Sequence, residues 1–87
     1  MDCYKILWKK SAVKELRGID KQFIPRIIST VESLSNNPLP IGVKKLSGAD
    51  IIYRIRIGDY RVIYSLYEKE LIIEMVKVGH RKDAYKK

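Results

Sequence analysis

The sequence predicts an α+β domain of order β-α-α-β-β-β, an antiparallel sheet with an N-terminal helical hairpin packed on one face. Three observations lead there. Apolar residues recur at helical spacing between Ala12 and Leu34, and from Tyr53 onward the period drops to two. The 87 residues hold one modest core and leave no room for a second domain, so residues 1–87 form a single unit.

Each element has its own signal. Tyr4, Ile6 and Trp8 alternate against Lys5 and Lys9, which predicts a first strand over Tyr4 to Trp8 with one buried face. Ser11 is placed to cap a short helix from Ala12 to Arg17, with Ala12, Val13 and Leu16 as its apolar stripe and Gly18 as its end. A second helix starts between Asp20 and Ile24, because Pro25 lacks an N–H and is tolerated only in a first turn. It carries Phe23, Ile24, Ile27, Ile28, Val31 and Leu34 inward and stops at "SNNPLP".

"NNPLPIGVKKLSGAD" has no sustained period and reads as a connection, with Lys44 and Lys45 solvated. Beyond it, Tyr53, Ile55 and Ile57 share a face, Gly58-Asp59 is a two-residue hairpin turn, and Tyr60, Val62 and Tyr64 return on that face. Glu68-Lys69 turns the chain into a last strand, Leu71 to Val78, in which Leu71, Ile73 and Met75 continue the buried row. Trp8 and Tyr53 belong to the core or its edge.

Composition bounds the chemistry. Eighteen Lys and Arg against ten Asp and Glu give a net charge of +8, which favours a polyanionic or acidic partner. One cysteine, Cys3, and one histidine, His80, provide no ligand set for a metal and no internal disulfide. Apolar runs are broken by charge well before the roughly 18 residues of a membrane span, and "MDCYKILWKKSA" lacks a signal-peptide core. The chain reads as cytoplasmic.

The hairpin concentrates the charge. With Gly58-Asp59 in the turn, Arg56 lies opposite Arg61, and Arg54 lies two residues along on the same face. Like charges directly opposite each other cost a few tenths to about 1 kcal/mol. An anion between them reverses that penalty, and the arginine fork matches phosphate through two parallel charge-assisted hydrogen bonds. The residues alone leave a second reading open, in which the arginines are the solvated face of an antiparallel sheet. The tail "VGHRKDAYKK" follows the last strand and brings His80, Arg81 and Tyr85 toward the rim of the same sheet.

The combination of "KKLSGADIIYRIRIGDYRVIY" with "VGHRKDAY" resembles the RelE toxins of the RelE/ParE superfamily, the toxic halves of bacterial and archaeal toxin-antitoxin pairs. The resemblance covers essentially the whole chain. It implies a ribosome-dependent mRNA endonuclease that needs no cofactor or metal, in which a ribose 2'-OH attacks the adjacent phosphate. The family's basic positions fall on Arg54 and Arg56, which with Lys45 are implied to bind substrate. The catalytic positions implied are Arg61 and Arg81, which stabilise the charge of the phosphorane-like transition state, and Tyr85, which orients or deprotonates the 2'-OH. His80 occupies a position where relatives carry lysine or histidine, and histidine as a residue type is better matched to proton transfer at neutral pH than arginine or tyrosine.

The implied partners are a RelB-like antitoxin with an acidic or amphipathic segment, the ribosome with its mRNA, and promoter DNA only through the antitoxin complex. No membrane is implied. The ParE branch shares the fold and inhibits DNA gyrase without cutting RNA, so a gyrase-directed toxin is the alternative. An inert homologue that only binds antitoxin is the third reading.

Overall fold

The computed structural model describes residues 3–46 and 51–80. The elements are β1 (Lys5–Trp8), α1 (Lys10–Arg17), α2 (Ile24–Ser33), β2 (Lys44–Lys45), β3 (Ile52–Ile57), β4 (Tyr60–Tyr67) and β5 (Ile72–His80). They form one five-stranded sheet of order β1-β5-β4-β3-β2. The short β2, inside the stretch read as a connection, pairs antiparallel with β3 and forms one edge.

The sheet is mixed. Strands β2 to β5 pair antiparallel with their neighbours, but β5 returns beside β1 and runs parallel to it. The chain leaves β1 at one edge and re-enters at β2 on the other, so both helices cross a single face in that passage. That face is covered, and among the described residues the opposite one carries no helix.

Strand β1 runs directly into α1. The Lys9 N–H donates to the Met75 carbonyl at 3.0 Å, while the Lys9 carbonyl accepts from the Val13 N–H at 3.0 Å. Lys9, still extended, is therefore the N-cap, with no side-chain hydrogen bond. Ser11, the expected cap, lies inside the first turn, because the strand's last hydrogen bond fixes the helix start two residues earlier. Ala12 and Leu16 are buried, and Lys10, Lys14 and Arg17 face solvent.

Helix α2 begins at Ile24 with Pro25 in its first turn, where the missing N–H costs nothing. Asp20 accepts the Gln22 N–H at 3.2 Å in the turn that precedes it. Its far end is pinned to β1: the Tyr4 N–H donates to the Ser35 carbonyl at 2.9 Å, and the Ser35 hydroxyl donates to the Tyr4 carbonyl at 2.7 Å.

Between helices and sheet lies the core, with Ala12, Ile27, Val31, Leu34, Val62, Tyr64, Ile73 and Met75 fully buried. The predicted inward row of the hairpin is present: Ile55, Ile57, Val62 and Tyr64 are buried, and Tyr53 and Tyr60 pack against them, with the Tyr53 and Tyr64 rings stacked at 5.9 Å. Leu71 departs from expectation. It takes a left-handed conformation (φ 57°) in the turn before β5 and is only half-buried, so the inward row of β5 starts at Ile73.

Candidate functional site

The β3–β4 hairpin has the register its turn residues dictate: Ile57 stands opposite Tyr60, and Arg56 opposite Arg61. Gly58 has φ 60°, the positive value that a primed hairpin turn requires in this position. Alternation then sends Arg54, Arg56 and Arg61 to the face away from the helices. Arg56 is exposed, Arg54 is half-buried, and Arg61 is only 5% exposed although it lies on the face away from α1 and α2. Gly79 stands opposite Arg61 on β5 and contributes no side chain between the strands. A guanidinium held this deep meets a lower dielectric, so it acts on an incoming anion more strongly than a solvated one.

The two lysines of β2 separate by parity. Lys44 stands opposite Arg54, and Lys45 opposite Tyr53. Lys44 thus extends the row of the arginine face, whereas Lys45 falls in register with the core-facing tyrosine. The residues alone predict both lysines to be solvated, and the resemblance implies substrate binding for Lys45 only, because the pairing of a two-residue strand leaves no periodic signal.

His80 is also set apart from the arginines. Strand β5 carries one residue more than β4 needs: Ile63 stands opposite Lys77 and Tyr64 opposite Met75, leaving Val76 as a β-bulge. The inward positions therefore shift from Ile73 and Met75 to Val78 and His80. The His80 ring meets Tyr60 edge-on at 5.5 Å, and Tyr60 in turn packs on Phe23 at 5.4 Å. On this side His80 lines a hollow of about 350 Å³ with Glu15, Tyr60 and Lys77. Simple alternation from Met75 would have dealt His80 to the arginine face.

The bulge also gives α1 a hold on the sheet. β1 pairs with β5 only from Ile72 to Met75, and beyond that point the edge is closed by Glu15. One of its carboxylate oxygens accepts the Val78 N–H at 2.9 Å, and the other pairs with the Lys77 ammonium at 3.1 Å. Tyr64 anchors the other side of the molecule. Its hydroxyl donates to the Pro38 carbonyl at 2.6 Å, which fixes the connection leading into β2. Burial, reinforced by neighbouring Tyr53, pushes the Tyr64 phenol above the ordinary tyrosine range, so it is a structural donor and not an acid-base group.

Arg81 and Tyr85 lie outside the described residues. Among the described residues no group of His, Cys, Asp and Glu is arranged to hold a metal, and no helix is long and apolar enough to cross a membrane.

Against known proteins, a sequence model of the family described as "ParE toxin of type II toxin-antitoxin system, parDE" matches residues 6–85. The chain belongs to the RelE/ParE family of type II toxins. Its relatives include toxin RelE3 of Methanocaldococcus jannaschii, 33% identical over 93% of this chain and 94% of that one. A second toxin of that organism, named RelE1, is 34% identical over 88% and 89% of the two chains. Among solved structures, the RelE–RelB complex of Pyrococcus horikoshii superposes with a TM-score of 0.82 at 34% identity, covering 93% of this chain and 98% of the archaeal one. The isolated RelE of Escherichia coli shares the fold, with a TM-score of 0.77 at 20% identity over 88% of this chain and 83% of its own. This chain is thus a RelE-type toxin, and its fold is the RelE fold.

Proposed function

We propose that this toxin is a ribosome-dependent mRNA endonuclease that halts translation. The observation that carries the reading is the convergence of Arg54, Arg56 and Arg61 on the sheet face away from α1 and α2, two of them directly opposite each other. Cationic forks gathered on one face suit a phosphate, whose oxygens accept charge-assisted hydrogen bonds from them.

In this reading the 2'-oxygen of a ribose attacks the adjacent phosphorus and the bond to the 5'-oxygen breaks. The 2'-proton is lost, the leaving 5'-oxygen gains one, and the products are a 2',3'-cyclic phosphate and a 5'-OH. Arg54 and Arg56 hold the backbone, Arg61 meets the charge that grows on the phosphoryl oxygens, and Arg81 and Tyr85 complete the set as charge stabiliser and 2'-OH contact. A tyrosine with an ordinary pKa near 10 and arginines above about 12 are poor proton carriers at neutral pH. Rate must therefore come from positioning, which a ribosome supplies by holding the mRNA in a reactive bend. His80, packed on Tyr60, is not assigned the proton transfer.

The partner in this reading is a RelB-like antitoxin, supported by the RelE–RelB complexes among the structural relatives. Its acidic or amphipathic segment covers the basic surface, and promoter DNA is met only through that complex. Toeprinting of a defined mRNA on programmed ribosomes tests the activity: the wild type produces cuts, and Arg61→Ala abolishes them. No cut in the wild-type lane sinks the proposal. The ParE description of the matching family model favours one other reading, inhibition of DNA gyrase. Loss of supercoiling by purified gyrase on addition of the toxin, with mRNA left intact, is its signature.

A further inference from the structure

Beside the arginine face, at the β2 edge, lies a cleft of about 370 Å³ lined by Ile41, Gly42, Lys44, Arg54, Ile55 and Arg56. Three of its six lining residues are cationic and none is acidic. Its outer wall is a tight turn in which the Val43 N–H donates to the Pro40 carbonyl at 3.2 Å, with Gly42 at φ 96° in the third position. That position of a type II turn demands glycine, and the residue before it stands at the outer corner. Ile41 is that residue, and it is wholly exposed (104%). The turn is held in place, because its upstream end is tied to the sheet by the Tyr64 hydroxyl on the Pro38 carbonyl. A branched aliphatic side chain fixed in water beside three cations is complementary to a nucleotide, which has an apolar base face and an anionic phosphate.

We infer that this cleft is a nucleotide subsite for single-stranded RNA, in which Lys44 contacts the phosphate next to the one bound by the arginines and Ile41 packs against the base. The inference rests on the endonuclease reading for its place along the RNA, since it puts the bound nucleotide adjacent to the cut. Lys44 is suited to the role because it stands opposite Arg54 and so continues the same cationic row toward the sheet edge. Ile41 makes the subsite a selector as well as a holder: an aliphatic platform favours the bases with the larger stacking surface.

The test is a titration of the isotope-labelled toxin with a tetraribonucleotide carrying 2'-O-methyl groups throughout, which binds and is not cut. Amide shifts at Gly42, Val43 and Lys44 are the expected result. Lys44→Ala weakens binding and lowers the slope of log affinity against log salt by about 0.7, the value of one single-strand phosphate contact. Ile41→Ser weakens binding by about fivefold, the worth of a small apolar contact, and leaves the salt slope unchanged. Lys69→Ala, in the turn before β5, alters neither. Because Ile41 and Lys44 are exposed, both variants keep the wild-type circular dichroism.

A titration without shifts at residues 42–44 overturns the subsite, as does a salt slope unmoved by Lys44→Ala. Shifts there with an oligoglutamate peptide and none with RNA reassign the cleft to an acidic protein segment and overturn it too. If wild-type toxin fails to cut mRNA on ribosomes, the endonuclease reading falls, while the titration still decides the cleft. Where cutting occurs, Ile41→Ser changes the relative use of cut positions on one message, and an unchanged pattern removes the selector role.

Discussion

The two faces of the β3–β4 hairpin carry the same alternating sequence to opposite ends. On the helix side, Ile55, Ile57, Val62 and Tyr64 are buried among α1, α2 and β5. On the other side, the intervening Arg54, Arg56 and Arg61 bring like charges side by side on the face away from α1 and α2. One face lowers the free energy of the fold. The other gathers cationic forks whose geometry suits a phosphate. A strand of period two lets the toxin hold both at once, since the two sets of side chains lie on opposite faces.

If that division is correct, changes on the two faces separate stability from activity. The largest effect belongs to Arg61→Ala, which is expected to lower the rate of mRNA cutting on programmed ribosomes by about 10² to 10³, the usual worth of one preorganised charge stabiliser. A single-turnover assay reads it, and a rate within twofold of wild type would show that the arginine face is not the site. Next is Ile73→Ala on the covered face, where a fully buried isoleucine costs about 2–5 kcal/mol when truncated. Urea unfolding measures it, and the cutting rate per folded molecule stays as in the wild type.

The alkaline limb of stability sharpens the contrast on Tyr64. Its folded pKa lies above the unfolded value of about 10, so the folded state keeps a proton that the unfolded chain loses. Stability from this group is complete below pH ~10 and falls above it by about 1.4 kcal/mol per pH unit. Tyr64→Phe removes that slope in urea titrations at pH 9 to 11, at the cost of the hydrogen bond to Pro38. A smaller loss, about 1–2 kcal/mol, follows Glu15→Ala, which strips the Val78 N–H of its acceptor. The smallest change has the opposite sign. Arg56→Thr relieves the repulsion across from Arg61 and raises stability by a few tenths to about 1 kcal/mol, while weakening cutting.

Much of this was legible in the residues. Gly58-Asp59 fixed the hairpin register, and with it the face of every residue from Tyr53 to Tyr64, because a two-residue turn leaves no freedom to slip. Helix α2 was legible from its long periodic stripe and from Pro25. What escaped depends on partners distant in sequence. The parallel pairing of β1 with β5 and the brief pairing of β2 with β3 have no local code, so Lys44 and Lys45 were not told apart. The Val76 bulge is equally silent, as "EMVKVGH" alternates well enough in either phase. Leu71 read as a strand residue because nothing in a leucine announces a left-handed backbone.

That surplus residue in β5 has a further consequence. Val76 has no counterpart on β4, so its removal would leave Met75 opposite Tyr64 and Lys77 opposite Ile63, with every later pair intact. The strand is therefore two words separated by a spacer. Residues 72–75 are read by β1, and residues 77–80 by α1 and Tyr60. Loss of the spacer would change the twist of the strand without reassigning any side chain to the other face. The segments on its two flanks can drift in length relative to each other and still present the same chemistry.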